Sequence, residues 1–228
     1  MKAYDARPLC CALLLMLCSC TADVYDKGEG EYSLMLAEMA DVHVGGDLRA
    51  DYFVTDDDER VPLATPLTVS WMKTPDSTYR AVTYFSRTAA GADLMGLNRV
   101  GVAEPRKRDS LKTDPVRFES LWMGHNGQYL NVSIYLMTGA ASDEKAIHRL
   151  GCNDDTLMAN ADGTTTQCLT LYHDQGGMPE YYSQRTYVSI PMKRIMADSV
   201  RITINTYDGA VKKSLPLQSG RAGLRVGQ

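Results

Sequence analysis

Apolar and polar residues alternate with a period of two through most of the second half of this chain. Val116, Phe118, Ser120 and Trp122 fall on one side of an extended segment, and Gly124-His125-Asn126-Gly127 follows as a turn. Leu130, Val132, Ile134 and Leu136 then point one way while Asn131, Ser133 and Tyr135 point the other, the signature of a strand with one face on a core. Ala146 to Leu150, Gln167 to His173 and Arg185 to Ile190 predict further short strands. Met192 to Met196 reads as one helical turn between strands. Val200, Ile202 and Ile204 form another inward row, which reverses at Asp208-Gly209 into Ala210 to Leu217. Asp-Gly between two such runs is a strong hairpin signal. Six or seven short antiparallel strands with frequent turns predict a β-sandwich over residues 116–217.

The first half is less regular. Tyr32 to Val44 contains good helix formers, but it runs into Gly45-Gly46-Asp47 and then Leu48 to Thr55. Two apolar runs joined by a tight glycine turn predict a hairpin. Asp56-Asp57-Asp58-Glu59 is expected as a solvated acidic turn before Arg60-Val61-Pro62-Leu63. Leu67 to Trp71, Thr78 to Phe85, and Leu97 to Ala103 after a loop near Ala89-Ala90-Gly91 supply further strands. About five strands in this span match a small OB-type barrel over residues 32–104. Residues 105–115, polar and bounded by Pro105 and Pro115, are expected as an exposed linker carrying the basic cluster Arg106-Lys107-Arg108. The fold class is therefore all-β, an OB-like barrel followed by an antiparallel β-sandwich. Residues 218–228 form a polar, glycine-rich tail.

The N-terminus changes the picture most. Lys2 and Arg7 precede the apolar run Leu9 to Leu17, and Leu17-Cys18-Ser19-Cys20 has the form of a bacterial lipobox. The run is shorter than the roughly 20 apolar residues that a membrane-spanning helix needs. Residues 1–19 thus read as a signal peptide, with Cys20 accepting lipid on its thiol and amino group. Several buried acyl chains, each methylene worth about 0.8 kcal/mol, make such an anchor effectively permanent. Residues 20–31 are small, acidic and glycine-rich, a composition that suits a tether. The predicted location is the cell envelope, with the outer membrane expected and surface exposure open.

The 228 residues carry a formal charge of −4. Removal of residues 1–19 takes away Lys2, Arg7 and Asp5 and leaves −5, an acidic balance that argues against nucleic acid as partner. Of six cysteines, only Cys152 and Cys168 lie in the body; in an oxidising compartment they are a candidate disulfide, the alternative being two separate thiols. His43, His125, His148 and His173 occur singly, without the spacing of a metal pair, and no nucleophile elbow, phosphate loop or dinucleotide fingerprint is found. His173 beside Asp174 is the best fragment of a triad, and Cys152 to Gly163 the richest oxygen cluster, without the spacing of a calcium loop. No enzyme activity, cofactor or metal is predicted. Trp71 with Tyr84, and Tyr181-Tyr182, are candidate ligand-binding aromatics.

Several stretches together resemble the NigD-like lipoproteins. They are the lipobox with its acidic tether, Tyr32-Ser33-Leu34, Asp41-Val42-His43 and Phe53-Val54-Thr55-Asp56-Asp57. Thr78-Tyr79-Arg80-Ala81-Val82, Asp114-Pro115-Val116 and Gly127-Gln128-Tyr129-Leu130-Asn131-Val132 continue the pattern. The resemblance implies an OB-like N-terminal domain, a C-terminal β-sandwich and a link to bacteriocin immunity, with no catalytic residues to carry over. The first reading is therefore recognition of a protein toxin or other macromolecule; the alternative, suggested by Trp71 with Tyr84 and by Tyr181-Tyr182, is recognition of a glycan as accessory to a polysaccharide uptake system.

Overall fold

A computed structural model describes residues 34–141 and 145–217. Cys20, the tether and the tail at 218–228 lie outside the described residues. The first five strands are β1 (Leu36–Val44), β2 (Arg49–Thr55), β3 (Arg60–Thr68), β4 (Ser77–Thr88) and β5 (Gly91–Arg99). They close into a barrel in the order β1-β2-β3-β5-β4, with β4 pairing back onto β1, the Greek-key order of an OB-type barrel. Ala40, Val42, Val44, Phe53 and Phe85 fill it, the two phenylalanine rings meeting edge to face at 4.9 Å.

The fifth barrel strand differs from expectation. It runs Gly91–Arg99, not Leu97 to Ala103. The Ala89-Ala90 turn is tighter than the composition suggests because Gly91 takes φ 131° and lies against the Pro62 carbonyl. A β-carbon there would sit 2.2 Å from that oxygen, so only glycine lets β5 reach β3. Likewise Leu67 continues β3 and does not open a separate segment.

One residue, Val100, separates β5 from β6 (Gly101–Val102), which joins a different sheet. Strands β7 (Pro105–Arg106), β8 (Arg117–Met123), β9 (Tyr129–Thr138), β10 (Arg149–Ala159), β11 (Thr165–Asp174), β12 (Tyr182–Pro191), β13 (Ser199–Thr206) and β14 (Gly209–Pro216) follow. They form a five-stranded sheet, β14-β13-β11-β10-β7, facing a four-stranded one, β6-β12-β9-β8. Most pairings are antiparallel, while β7–β10, β6–β12 and β11–β13 are parallel. Leu130, Val132, Ile134, Val188 and Ile190 from one sheet pack on Leu169, Leu171, Ile202 and Ile204 from the other, as the period-two rows require.

Three stretches take a form that their composition does not announce. The stretch 105–115 is not a bare linker: Pro105 and Arg106 pair with β10, and the Arg108 guanidinium lies 4.1 Å from the Tyr172 ring centroid. Cys152 to Ala159 is strand, its polar Asn153, Asp154 and Asp155 tied to each other and to Gln167 and Thr170 on the neighbouring strand. Met192 to Met196 forms a turn closed by Ile195 N–H donating to the Met192 carbonyl, not a helical turn.

The anticipated disulfide is corrected as well. Cys152 and Cys168 are both free. Cys152 pairs with the core-facing Leu171, whereas Cys168 lies three positions from that partner and so projects from the other face of the sheet. A bridge cannot pass through the strand. Burial pushes the Cys152 thiol up to about 12, assisted by Asp155 and Asp154.

Candidate functional site at the barrel–sandwich junction

The polar row of β9, which points away from the sandwich core, is itself partly enclosed. Asn131, Ser133 and, on the adjacent strand, Ser189 are all buried. Asn131 and Ser189 meet Arg80, on the outer side of barrel strand β4 and itself only 4% exposed, whereas the Ser133 hydroxyl donates to Glu119 within the sandwich. The Arg80 Nε donates to Ser189 Oγ at 3.1 Å, and Nη2 donates to Asn131 Oδ1 at 3.2 Å and to Asp56 Oδ2 at 2.8 Å. Nη1 stands 3.5 Å from Asp41 Oδ1. Asn131 Nδ2 donates back to Asp56 at 2.9 Å, and the Ser189 hydroxyl donates to Asn131 Oδ1 at 2.7 Å. The guanidinium stacks 4.1 Å from the centroid of Tyr129. A planar five-donor cation suits this enclosed position, where a lysine would leave acceptors unmet.

Burial has consequences for the surrounding acids. Desolvation raises the Asp41 carboxyl above the ordinary range despite Arg80. The Tyr129 hydroxyl, also desolvated and bonded to Asp41, is pushed up to about 12.

The turn expected to be solvated, Asp56 to Glu59, is the second fastening. Asn126 N–H donates to the Asp56 carbonyl at 2.8 Å, and Asn126 Nδ2 and Gln128 Nε2 donate to Asp58 Oδ1 at 2.9 and 3.3 Å. His125 Nδ1 pairs with Asp57. Gly124 permits this approach, since a β-carbon there would lie 2.7 Å from Asp56 Oδ2. Strands β2 and β3 therefore aim their connecting turn at the β8–β9 hairpin.

Beside these fastenings lies a cleft of about 320 Å³, lined from the barrel by Ala37, Glu38, Met39, Asp56 and Asp57 and from the sandwich by Trp122, Met123, Gly124 and His125. A larger cleft of about 520 Å³ lies between the edges of the two sandwich sheets, with Phe118, Met137, Glu180 and Tyr207 among its walls.

The aromatics singled out from the sequence do not converge. Trp71 packs partly buried against the barrel core and meets Tyr79 edge-on at 5.7 Å, while Tyr84 lies against Gly96. Tyr181 and Tyr182 are exposed and consecutive, and Tyr181 packs over Gly139. His173 and Asp174 do not act together either. His173 Nδ1 donates to the Asp114 carbonyl at 2.9 Å and its Nε2 faces His148 Nδ1 at 3.0 Å. Asp174 pairs with Lys112 and Arg149, and the Lys112 bond holds its carboxyl below the usual range.

The parts played by Trp122, Glu38 and Arg80 are not legible in the sequence, because their partners lie far away along the chain. The motifs Phe53 to Asp57, Thr78 to Val82 and Gly127 to Val132 did contain the signal: they converge on this junction.

A family model described as the NigD-like C-terminal β-sandwich domain matches residues 99–216. The chain belongs to the NigD-like family. Solved structures share the fold of this NigD-like chain. A NigD-like immunity protein from Bacteroides caccae is 22% identical, with 78% of this chain and 91% of that one covered at a TM-score of 0.59. A protein from Parabacteroides distasonis described as toxin-related is 18% identical, covering 82% and 96% at 0.63. A protein of unknown function from Bacteroides vulgatus is 17% identical, covering 82% and 93% at 0.61. No curated protein matches the chain.

Proposed function

We propose that this NigD-like chain is a non-enzymatic lipoprotein of the cell envelope, anchored through Cys20, whose barrel–sandwich body binds a protein toxin and protects the cell that makes it. The observation that carries this reading is family membership together with the shared fold of the Bacteroides caccae relative described as an immunity protein. The junction supports it. A body fastened by desolvated polar groups presents one preorganised surface, which lowers the cost of ordering an interface. The separation of His173 from Asp174 by their own partners also fits a binding role better than a catalytic one.

The test is survival of a strain lacking this gene in bacteriocin-containing supernatant from its parent. The strain is expected to die, to recover with the intact gene, and to recover poorly with Cys20→Ala, which removes the lipidated thiol. Equal survival with and without the gene overturns the immunity reading. Retention on a polysaccharide array that disappears with Tyr181→Ala would favour the glycan role instead.

A further inference from the structure

We infer that the 320 Å³ junction cleft is the contact point for a cationic side chain, lysine or arginine, on a loop of the protein partner. This rests on the reading of the chain as a toxin-binding protein and names the surface and the chemistry. Three features converge there.

The first is an aromatic wall. Trp122 lines the cleft from the sandwich, its ring held edge-on by Tyr187 at 6.4 Å. Indole is the best of the side-chain rings at attracting a cation through its face. Met39 and Met123 flank it, giving soft apolar walls for the methylene stem of a lysine or arginine.

The second is a carboxylate in the wrong solvent. Glu38 pairs in register with Thr83, at the barrel position before the core-filling Ala40 and Val42. Glu38 is partly buried near the start of β1 and is one of the residues that line the cleft. Burial raises its carboxyl above the ordinary range, and Glu59, Asp57 and Asp56 add to the rise while Arg87 opposes it. A carboxylate so placed gains more from an incoming cation than one in open water.

The third is a local excess of negative charge. Asp41, Asp56, Asp57, Asp58, Glu38 and Glu59 border the junction, while the basic side chains are committed: Arg80 to Asp56 and Asp41, Arg87 to Glu59 through two hydrogen bonds, and His125 to Asp57. Around the rim the arginine charge falls short of the carboxylate charge. A partner cation supplies the complement, and the mature charge of −5 favours its approach over a distance.

The chain has two tryptophans, so Trp71→Phe leaves Trp122 as sole reporter. In the Trp71→Phe protein, tri-lysine and tri-arginine peptides are expected to change the Trp122 emission in a saturable manner. Peptides carrying norleucine in place of lysine are expected to leave it unchanged. Adding Glu38→Gln should weaken the apparent affinity about fivefold, with thermal melting confirming that the variant is folded. No saturable change, or the same affinity in the Glu38→Gln background, overturns the assignment. So does a stronger response to calcium chloride than to either peptide, which would make the cleft a divalent-cation site. The survival assay separates the two levels. If Glu38→Gln and Trp122→Leu proteins protect as fully as the wild type, the cleft assignment fails while immunity stands; if the deletion strain survives unaided, immunity itself fails.

Discussion

Arg80 is where the sequence and the tertiary structure meet. In the linear chain it is one residue of a strand motif. Its acceptors lie 24, 51 and 109 positions away, in a barrel turn and two sandwich strands, so no local pattern could reveal them. Arg80→Ala removes the charge and leaves Asp41 and Asp56 enclosed without their cation. The expected cost in chemical denaturation is about 3–5 kcal/mol, the range for breaking a buried pair by deleting one partner. Arg80→Lys is expected to recover only part of it, because an ammonium cannot present the same fork of donors.

His148 gives a pH-dependent prediction at the same scale. Burial and then the neighbouring His173 hold its imidazole below the ordinary histidine value. The folded protein thus binds fewer protons than the unfolded chain as the pH falls. The contribution to stability is present above the unfolded value and is lost as pH drops through the folded one. Asp41 and Glu38, raised by burial, act in the opposite sense. The difference in melting temperature between wild type and His148→Gln isolates the imidazole. It should shrink or reverse between about pH 7 and pH 5.

Among elements, the β3–β5 closure depends on the close approach of Gly91 to Pro62. Gly91→Ala combines a left-handed φ of 131° with a 2.2 Å clash against backbone. Destabilisation of about 1–3 kcal/mol is expected by thermal or denaturant unfolding, and an unchanged midpoint would contradict this account of barrel closure. The sandwich strands were legible because one face of each is apolar and the other is polar: Leu130 to Leu136 and Val200 to Ile204 announce themselves. The barrel was less so. Gly91 to Gly96 carries two glycines and Asp93 in a strand, residues that propensity assigns to turns, and its pairing with β4 overrides that preference. The acidic turn Asp56 to Glu59 read as solvated because carboxylates usually are; its role emerges only when Asn126, Gln128 and Arg80 are brought alongside. The edge strand β14 shows a related feature. Its Lys213 pairs with core-facing Ile202 and reaches toward the Phe118 ring, an inward-pointing charge that blunts a free edge.

For the molecule as a whole, the lipid anchor predicted at Cys20 and the binding role proposed for the body make different demands. The anchor needs only the N-terminal segment. The binding surface needs barrel and sandwich to keep one relative orientation, because the junction cleft draws its walls from both. A single residue between β5 and β6, the Arg80 cluster and the Asp56–Asp58 turn all serve that end. Residual dipolar couplings measured on residues 34–217 in an aligning medium test the coupling most directly. Couplings from barrel and sandwich are predicted to fit one alignment tensor, with Arg80→Ala splitting it if the variant remains folded. Two distinct tensors in the wild-type protein would mean a hinge at the junction and contradict the single binding body.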